Sequence, residues 1–212
     1  DEDEFGGFSA SQIAPFISMY WGALMIGRWC GAVLVFNFKK TTKIIAMIAA
    51  PLLAFALVIG VNTLAGHDMT ILYYFIFCVL IQVAAFILCK EKPALTLLVF
   101  ALLAIIAMTV GLCTTGMTAV YAFLSGGLFC SIMWSNIYTL ATLGLGKYTS
   151  QGSSFLVMMI LGGGVIPPIQ GKLADIIGIH NSYVIPIVCY AYIAFFAIAA
   201  KRILKKQQID IE

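Results

Sequence analysis

The chain has 212 residues, of which 62% are hydrophobic and only 10% are charged, with a formal net charge of +3. Soluble domains are about half apolar and about a quarter charged. So few charged side chains could not cover a water-facing surface, which excludes a soluble domain and gives no basic face for nucleic acid. The composition therefore predicts an integral membrane protein that is embedded in the lipid bilayer.

A helix that crosses a membrane needs about 20 mainly apolar residues. Seven runs qualify, and their connections are short and polar, so we expect one all-α helical bundle without an extramembrane domain. In chain order they lie at about 12–36, 44–64, 70–89, 94–114, 117–143, 151–178 and 182–203.

Basic residues follow only alternate spans, which predicts the orientation of the bundle. The positive-inside rule places these connections and the C-terminus in the cytoplasm, as expected in a cytoplasmic (inner) membrane. The acidic opening DEDE is then outside. An acidic outer N-terminus without a signal normally follows an odd number of spans, so we expect upstream helices. The basic residues are Lys39, Lys40, Lys43, Lys90, Lys92, Lys147, Lys201, Arg202, Lys205 and Lys206.

The first span contains a cation, Arg28, between two glycines four residues apart, Gly27 and Gly31. Such glycines let another helix come close. A charge inside a membrane is costly and is a candidate functional residue. Two interpretations stay open for Arg28: it reaches the inner headgroups or holds a helix end, or it forms a conformational lock with a missing part of the protein.

The fifth span carries a polar side on an otherwise apolar helix. Unpaired polar groups are costly in hydrocarbon, so these side chains either bond to other helices or line a wet cavity. Hydroxyl and amide groups beside aromatic rings suit a sugar, whose hydroxyls need hydrogen bonds and whose C–H patches need an apolar face. The side comprises Ser131, Trp134, Ser135, Tyr138 and Thr142, bordered by Asn136 and Thr139.

The sixth span is interrupted by three glycines, Gly162, Gly163 and Gly164, and then by Pro167 and Pro168. Each proline lacks the N–H that would bond four residues back, which frees the carbonyls of Gly163 and Gly164. Broken backbone at membrane depth occurs where protein or water covers it, and it points to the moving core of a transporter. A packed hinge, direct carbonyl contact with a substrate and an inert kink remain the alternatives.

The groups needed for enzyme chemistry are missing from the sequence. Among the acids only Asp175 belongs to a span, and no nucleophile–base pair, phosphate loop or metal-ligand spacing occurs. The six cysteines lie in apolar runs and are expected to be free thiols, while His67 and His180 are expected to be solvated. We therefore expect no enzyme, no cofactor and no metal site.

Three segments resemble the second half of a major facilitator sugar permease of the fucose–galactose–glucose:proton symporter family, nearest to its glucose/galactose branch. They are YWGALMIGRWCG (20–31), SIMWSNIYTL (131–140) and GKYTSQGSSFLVMMILGGGVIPPIQGKLAD (146–175). The resemblance implies the C-terminal bundle of a two-half fold. The first span corresponds to helix eight of twelve and the fourth to seventh spans to helices nine to twelve, so the second and third spans are an inserted pair.

The resemblance also implies a function. It predicts secondary active transport of a monosaccharide by alternating access, coupled to protons through acids in the missing N-terminal half. Sugar contacts would come from Trp134, Ser135, Asn136, Tyr138 and Thr139, and flexing from the region Gly162–Pro168. Gly27, Arg28 and Gly31 would meet the N-terminal half. The alternatives are a facilitator for another neutral solute, such as a nucleoside, and a non-transporting subunit or sensor that keeps the fold.

Overall fold

The computed structural model describes residues 10–33, 36, 38–89 and 92–209, with side chains from residue 13 onward. The acidic opening DEDE and Lys90, used above for orientation, lie outside these ranges. The helices are α1 (Ala10–Ala32), α2 (Lys40–Leu64), α3 (Ile76–Cys89), α4 (Pro93–Cys113), α5 (Gly116–Cys130), α6 (Met133–Thr142), α7 (Thr149–Met158), α8 (Gly162–Ile177), α9 (Ile179–Ser182) and α10 (Val184–Lys206). Short 3₁₀ turns occupy Ile71–Phe75, Gly146–Tyr148 and Met159–Leu161.

Six helices in the described ranges are long and apolar enough to cross a membrane, and the predicted all-α membrane class is confirmed. They fall on the second to seventh predicted spans. The first, α1, is a continuous helix of 23 residues but is not among these six. The six are Lys40–Leu64, Ile71–Cys89, Pro93–Cys113, Gly116–Thr142, Gly146–Ile177 and Ile179–Lys206.

Two apolar clusters hold the bundle together. One joins α4, α6 and α10 around Phe100, Met133 and Ala197. The other joins α1, α2 and α5 with the 3₁₀ turn Ile71–Phe75 and α3, around Ile26, Phe75 and Leu128. The clusters follow the helix contacts, since α4 lies between α5 and α10 while α1 packs on both α2 and α5.

The sixth predicted span differs from the others in having no buried residue in α7 or α8. Large apolar side chains such as Phe155, Leu161 and Ile176 are exposed there. In contrast, α5 alone buries seven residues. The described chain is therefore a packed bundle with one peripheral, interrupted helix beside it.

Candidate functional site

The predicted sugar-binding side chains lie together on the outward face of α6. Trp134, Ser135, Tyr138 and Thr139 are exposed, and Asn136 is half-buried. The opposite face of the same helix is anchored in the apolar core by two buried side chains, Met133 and Leu140. The polar face is thus open in the described part of the chain.

Local hydrogen bonds orient the side chains on this face. Ser135 Oγ and Asn136 Nδ2 both donate to the carbonyl of Ile132, at 2.9 and 3.1 Å. Thr139 Oγ1 donates to the carbonyl of Ser135 at 2.9 Å. Because each hydroxyl oxygen carries two lone pairs, these bonds use the donor hydrogens and leave acceptor capacity for the hydroxyl groups of a ligand.

Tyr138 connects this face to the peripheral helix. Its hydroxyl lies 2.8 Å from Ser153 Oγ of α7. With Trp134 beside it, the face combines two partly exposed aromatic rings with hydroxyl and amide groups. Such a combination can bind a neutral polyol, whose C–H surfaces contact rings and whose hydroxyls need hydrogen bonds.

Ser131 is separated from this face by a bend that the sequence did not reveal. α5 ends at Cys130 and α6 begins at Met133, so Ser131 and Ile132 form a turn between them. Ser131 is buried and its Oγ donates to the carbonyl of Leu128 at 2.6 Å. Ser131 is therefore bonded within the bundle, which is one of the two alternatives given for the polar side. The polar residues of α6 after the bend are exposed instead.

Gln82, which the sequence pattern did not single out, is a fully buried amide on α3 that reaches this bend. Its Nε2 donates to the carbonyl of Leu128 at 3.3 Å and lies 3.4 Å from Ser131 Oγ. The signal was a lone amide in the apolar run of α3, IFCVLIQVAAFILC. A polar side chain in the middle of such a run needs a partner.

Gly27 and Gly31 serve close packing, but within this bundle. A Cβ at Gly27 would collide with Ser131 Oγ and Gln82 Nε2, and one at Gly31 would collide with Ile132 Cδ1. Both glycines are buried, whereas Arg28 between them is exposed. The two glycines therefore meet helices of this same chain rather than a surface left open for another half.

The interruption of the sixth span lies before its prolines. α7 passes through the 3₁₀ turn Met159–Leu161 into α8, which continues through Pro167 and Pro168. A tighter turn inside a long helix is typical of a hinge. A Cβ added at Gly162, Gly163 or Gly164 would meet nothing within 4 Å, so close packing at these glycines has no partner in the described residues.

A cleft of ≈ 600 Å³ lies between α1, α5 and the segment α8–α10. Tyr20 and Phe123 line it from the packed bundle, and Gln170 lines it from α8. His180 also lines it, half-buried, with Nε2 3.1 Å from the carbonyl of Leu112 and its ring against Phe123. The expectation of a solvated histidine is wrong for His180, because the turn at α9 folds it back onto α4.

No group of three metal-ligating side chains occurs in the described residues.

Comparison with known proteins gives matches to sugar transporters. The chain is 49% identical over 102 residues to a glucose/galactose transporter of Brucella abortus biovar 1 (strain 9-941), covering 48% of this chain and 25% of that protein. It is 40% identical over 114 residues to a putative glucose/galactose transporter of Helicobacter pylori (strain J99 / ATCC 700824), covering 51% and 28%. It is 34% identical over 109 residues to an L-fucose-proton symporter of Escherichia coli (strain K12), covering 51% and 25%.

These matches cover only part of each protein: about half of this chain, and about a quarter of the length of each relative. No family model matches the chain, and no solved structure matches it. All three relatives are named as sugar transporters: two are named for glucose and galactose, and one is named for L-fucose. The chain is thus an all-α membrane bundle that is similar, over about half of its length, to glucose/galactose transporters and to an L-fucose-proton symporter.

Proposed function

We propose that this chain is the C-terminal part of a permease that carries a monosaccharide across the cytoplasmic membrane by alternating access, coupled to protons. The observation that carries the proposal is the open face of α6, where Trp134 and Tyr138 stand beside Ser135, Asn136 and Thr139. Exposed polar side chains on a helix in an apolar bundle need either water or a partner. A hydrated sugar pathway meets that need.

The remaining helices of such a permease would face this surface from the other side. α7 and α8 bury nothing within the chain, so their apolar side chains are available to a partner or to lipid. Arg28 is exposed on α1, and we propose that it steadies the cytoplasmic side against the N-terminal half. The carboxylates that carry protons would also belong to that half. The lysine-rich connections support a cytoplasmic C-terminus.

The 3₁₀ turn at Met159–Leu161 supports a moving role for the sixth span. Alternating access requires one group of helices to rock against another around a central site. A helix with three unobstructed glycines and two prolines has fewer bonds to break when it bends. We propose that Gly162–Pro168 supplies this flexibility.

The test is sugar uptake by the full-length protein in proteoliposomes with a proton gradient. Asn136→Ala removes an amide whose Nδ2 bonds the carbonyl four residues back, and Asn181→Ala is the matched control because its Nδ2 makes the same kind of bond to Ile177, at 3.0 Å. We expect the first variant to raise the KM for sugar about tenfold, as loss of one hydrogen bond of ~1.5 kcal/mol would. The control should transport as the parent does.

Trp134→Ala gives a second arm, with Phe195→Ala as the control because Phe195 is an exposed ring on α10. If both Trp134→Ala and Asn136→Ala transport like the parent at equal expression, the assigned face is wrong. Inhibition of uptake by nucleosides rather than hexoses would favour a facilitator for another neutral solute. No uptake of any solute by the parent would favour a non-transporting subunit.

A further inference from the structure

The carbonyl groups at the end of α5 need hydrogen-bond donors from outside that helix. The last four carbonyls of a helix lack partners within it, and Leu128 is among the last four residues of α5. Its carbonyl is in the protein interior, where an unbonded acceptor costs about 1–3 kcal/mol. Two side chains donate to it: Ser131 Oγ at 2.6 Å, from the bend itself, and Gln82 Nε2 at 3.3 Å, from α3.

Gln82 is an unusual residue for simple packing. It is completely buried in α3, a helix otherwise composed of apolar residues and Cys78 and Cys89. Its Oε1 is buried and accepts no hydrogen bond in the described part of the chain. An apolar side chain of similar length would avoid that cost. The benefit of the amide must therefore lie in what its Nε2 holds.

The bend that Gln82 reaches also sets the candidate sugar-binding face. Ile132, the second residue of the bend, offers the carbonyl to which Ser135 Oγ and Asn136 Nδ2 donate. Its side chain packs against Gly31 of α1. Ser131, the first residue of the bend, packs against Gly27. A rotation of this turn would therefore move the side chains of Ser135 and Asn136.

We infer that Gln82 is a positioning residue: by bonding the free carbonyl of Leu128 it keeps α5 and α6 bent, and so sets the direction of Ser135 and Asn136 and the affinity for substrate. The inference rests on the proposed sugar transport. Without the amide, the carbonyl of Leu128 keeps only Ser131 Oγ as a donor, and it regains a second donor most directly by continuing α5 through Ile132, which straightens the span. The helix pair α2–α3 would thus tune the binding site without touching the sugar.

The main test is sugar transport by the full-length protein carrying Gln82→Met, which keeps length and volume but removes the donor. We expect KM to rise about fivefold to tenfold, as for one lost hydrogen bond, while kcat changes less than about twofold. Ser131→Ala should act in the same direction. The double variant should exceed the product of the single effects, because only then does Leu128 lose both donors.

Asn62→Leu is the matched control for loss of a buried amide. Asn62 lies in α2, is almost fully buried, and donates to Ser18 Oγ of α1 and to the carbonyl of Val58, both at 2.8 Å. Neither of these hydrogen bonds involves the bend or α6. We expect Asn62→Leu to lower thermal stability and leave the KM unchanged. A KM of Gln82→Met that equals that of the parent, or of Asn62→Leu, overturns the positioning role.

A second measurement does not require transport. In a cysteine-free background of the full-length protein, Asn136→Cys is labelled with a water-soluble maleimide, with and without Gln82→Met. A several-fold change in labelling rate is expected, and an unchanged rate contradicts the inference whatever the parent carries. Conversely, a changed rate in a protein that takes up no sugar supports the bend and rejects the proposed transport, so the two hypotheses fail separately.

Discussion

The fifth and sixth predicted spans are both interrupted, but the structure treats the two interruptions in opposite ways. In an 18-residue stretch of Gly116–Thr142 half of the residues are buried, and the bend is bonded by Ser131 of the turn itself and by Gln82 of α3. In Gly146–Ile177 none is buried. A broken helix can therefore be a fixed feature of a core, as in Gly116–Thr142, or a free edge, as in Gly146–Ile177, depending on the neighbouring helices.

The largest expected effect comes from adding one methyl group in each region. Gly27→Ala would drive a Cβ into Ser131 and Gln82, and overpacking of this kind costs about 1–3 kcal/mol. Gly163→Ala meets nothing within 4 Å and removes a flexible residue from a helix, so stability should hold or rise by about 0.5–1 kcal/mol. The measurement is the thermal unfolding midpoint of the full-length protein in detergent.

Gly60→Ala is the control for that experiment, since Gly60 lies inside α2 and also has no atom within 4 Å of an added Cβ. It should behave as Gly163→Ala does in stability. If Gly27→Ala is as stable as Gly60→Ala, the bend is not tightly packed. A loss of transport by Gly163→Ala at full stability would indicate that the free edge has to flex or to meet a partner.

The next effect concerns the prolines of the free edge. The double variant Pro167→Ala and Pro168→Ala restores two N–H groups that can bond the carbonyls of Gly163 and Gly164. A bias of ~1.4 kcal/mol toward a rigid helix changes populations tenfold, so we expect sugar uptake to fall by about that factor. The thermal midpoint should not fall, since α8 buries nothing.

Pro93→Ala is the corresponding control in the packed bundle. Pro93 is the first residue of α4, where a proline has no hydrogen bond to remove. Uptake by this variant should match that of the parent. Normal uptake by the Pro167 and Pro168 double variant would mean that the interruption is an inert kink, one of the alternatives that the sequence left open.

Hydropathy and spacing were sufficient to predict the all-α membrane class, because a membrane span is a local property of about 20 residues. They also identified α6 as polar and the sixth span as interrupted. They did not separate Ser131 from Ser135, because the four-residue spacing assumes a continuous helix and the turn at Ser131–Ile132 breaks it. They placed the flexible region of the sixth span at Gly162–Pro168, whereas the 3₁₀ turn precedes Gly162.

The partners of buried groups could not be predicted either. Gly27 and Gly31 formed a recognisable close-packing pattern, but only the tertiary arrangement shows that Ser131 and Ile132 fill it. Gln82 was visible as a single amide in an apolar run, and its acceptor lies 46 residues away in sequence. Contacts at such separations depend on how helices are arranged, which composition and period do not encode.

The smallest expected effect concerns the hydrogen bond that joins the two regions, between Tyr138 of α6 and Ser153 of α7. Tyr138→Phe and Ser153→Ala each remove one partner, so each should lower the free energy of unfolding by about 0.5–1.5 kcal/mol. Because both atoms belong to one bond, the double variant should lose little more than either single variant. Tyr192→Phe, at an exposed ring on α10, is the control and should leave the thermal midpoint unchanged. Strictly additive losses would mean that α7 is not held to α6 by this bond.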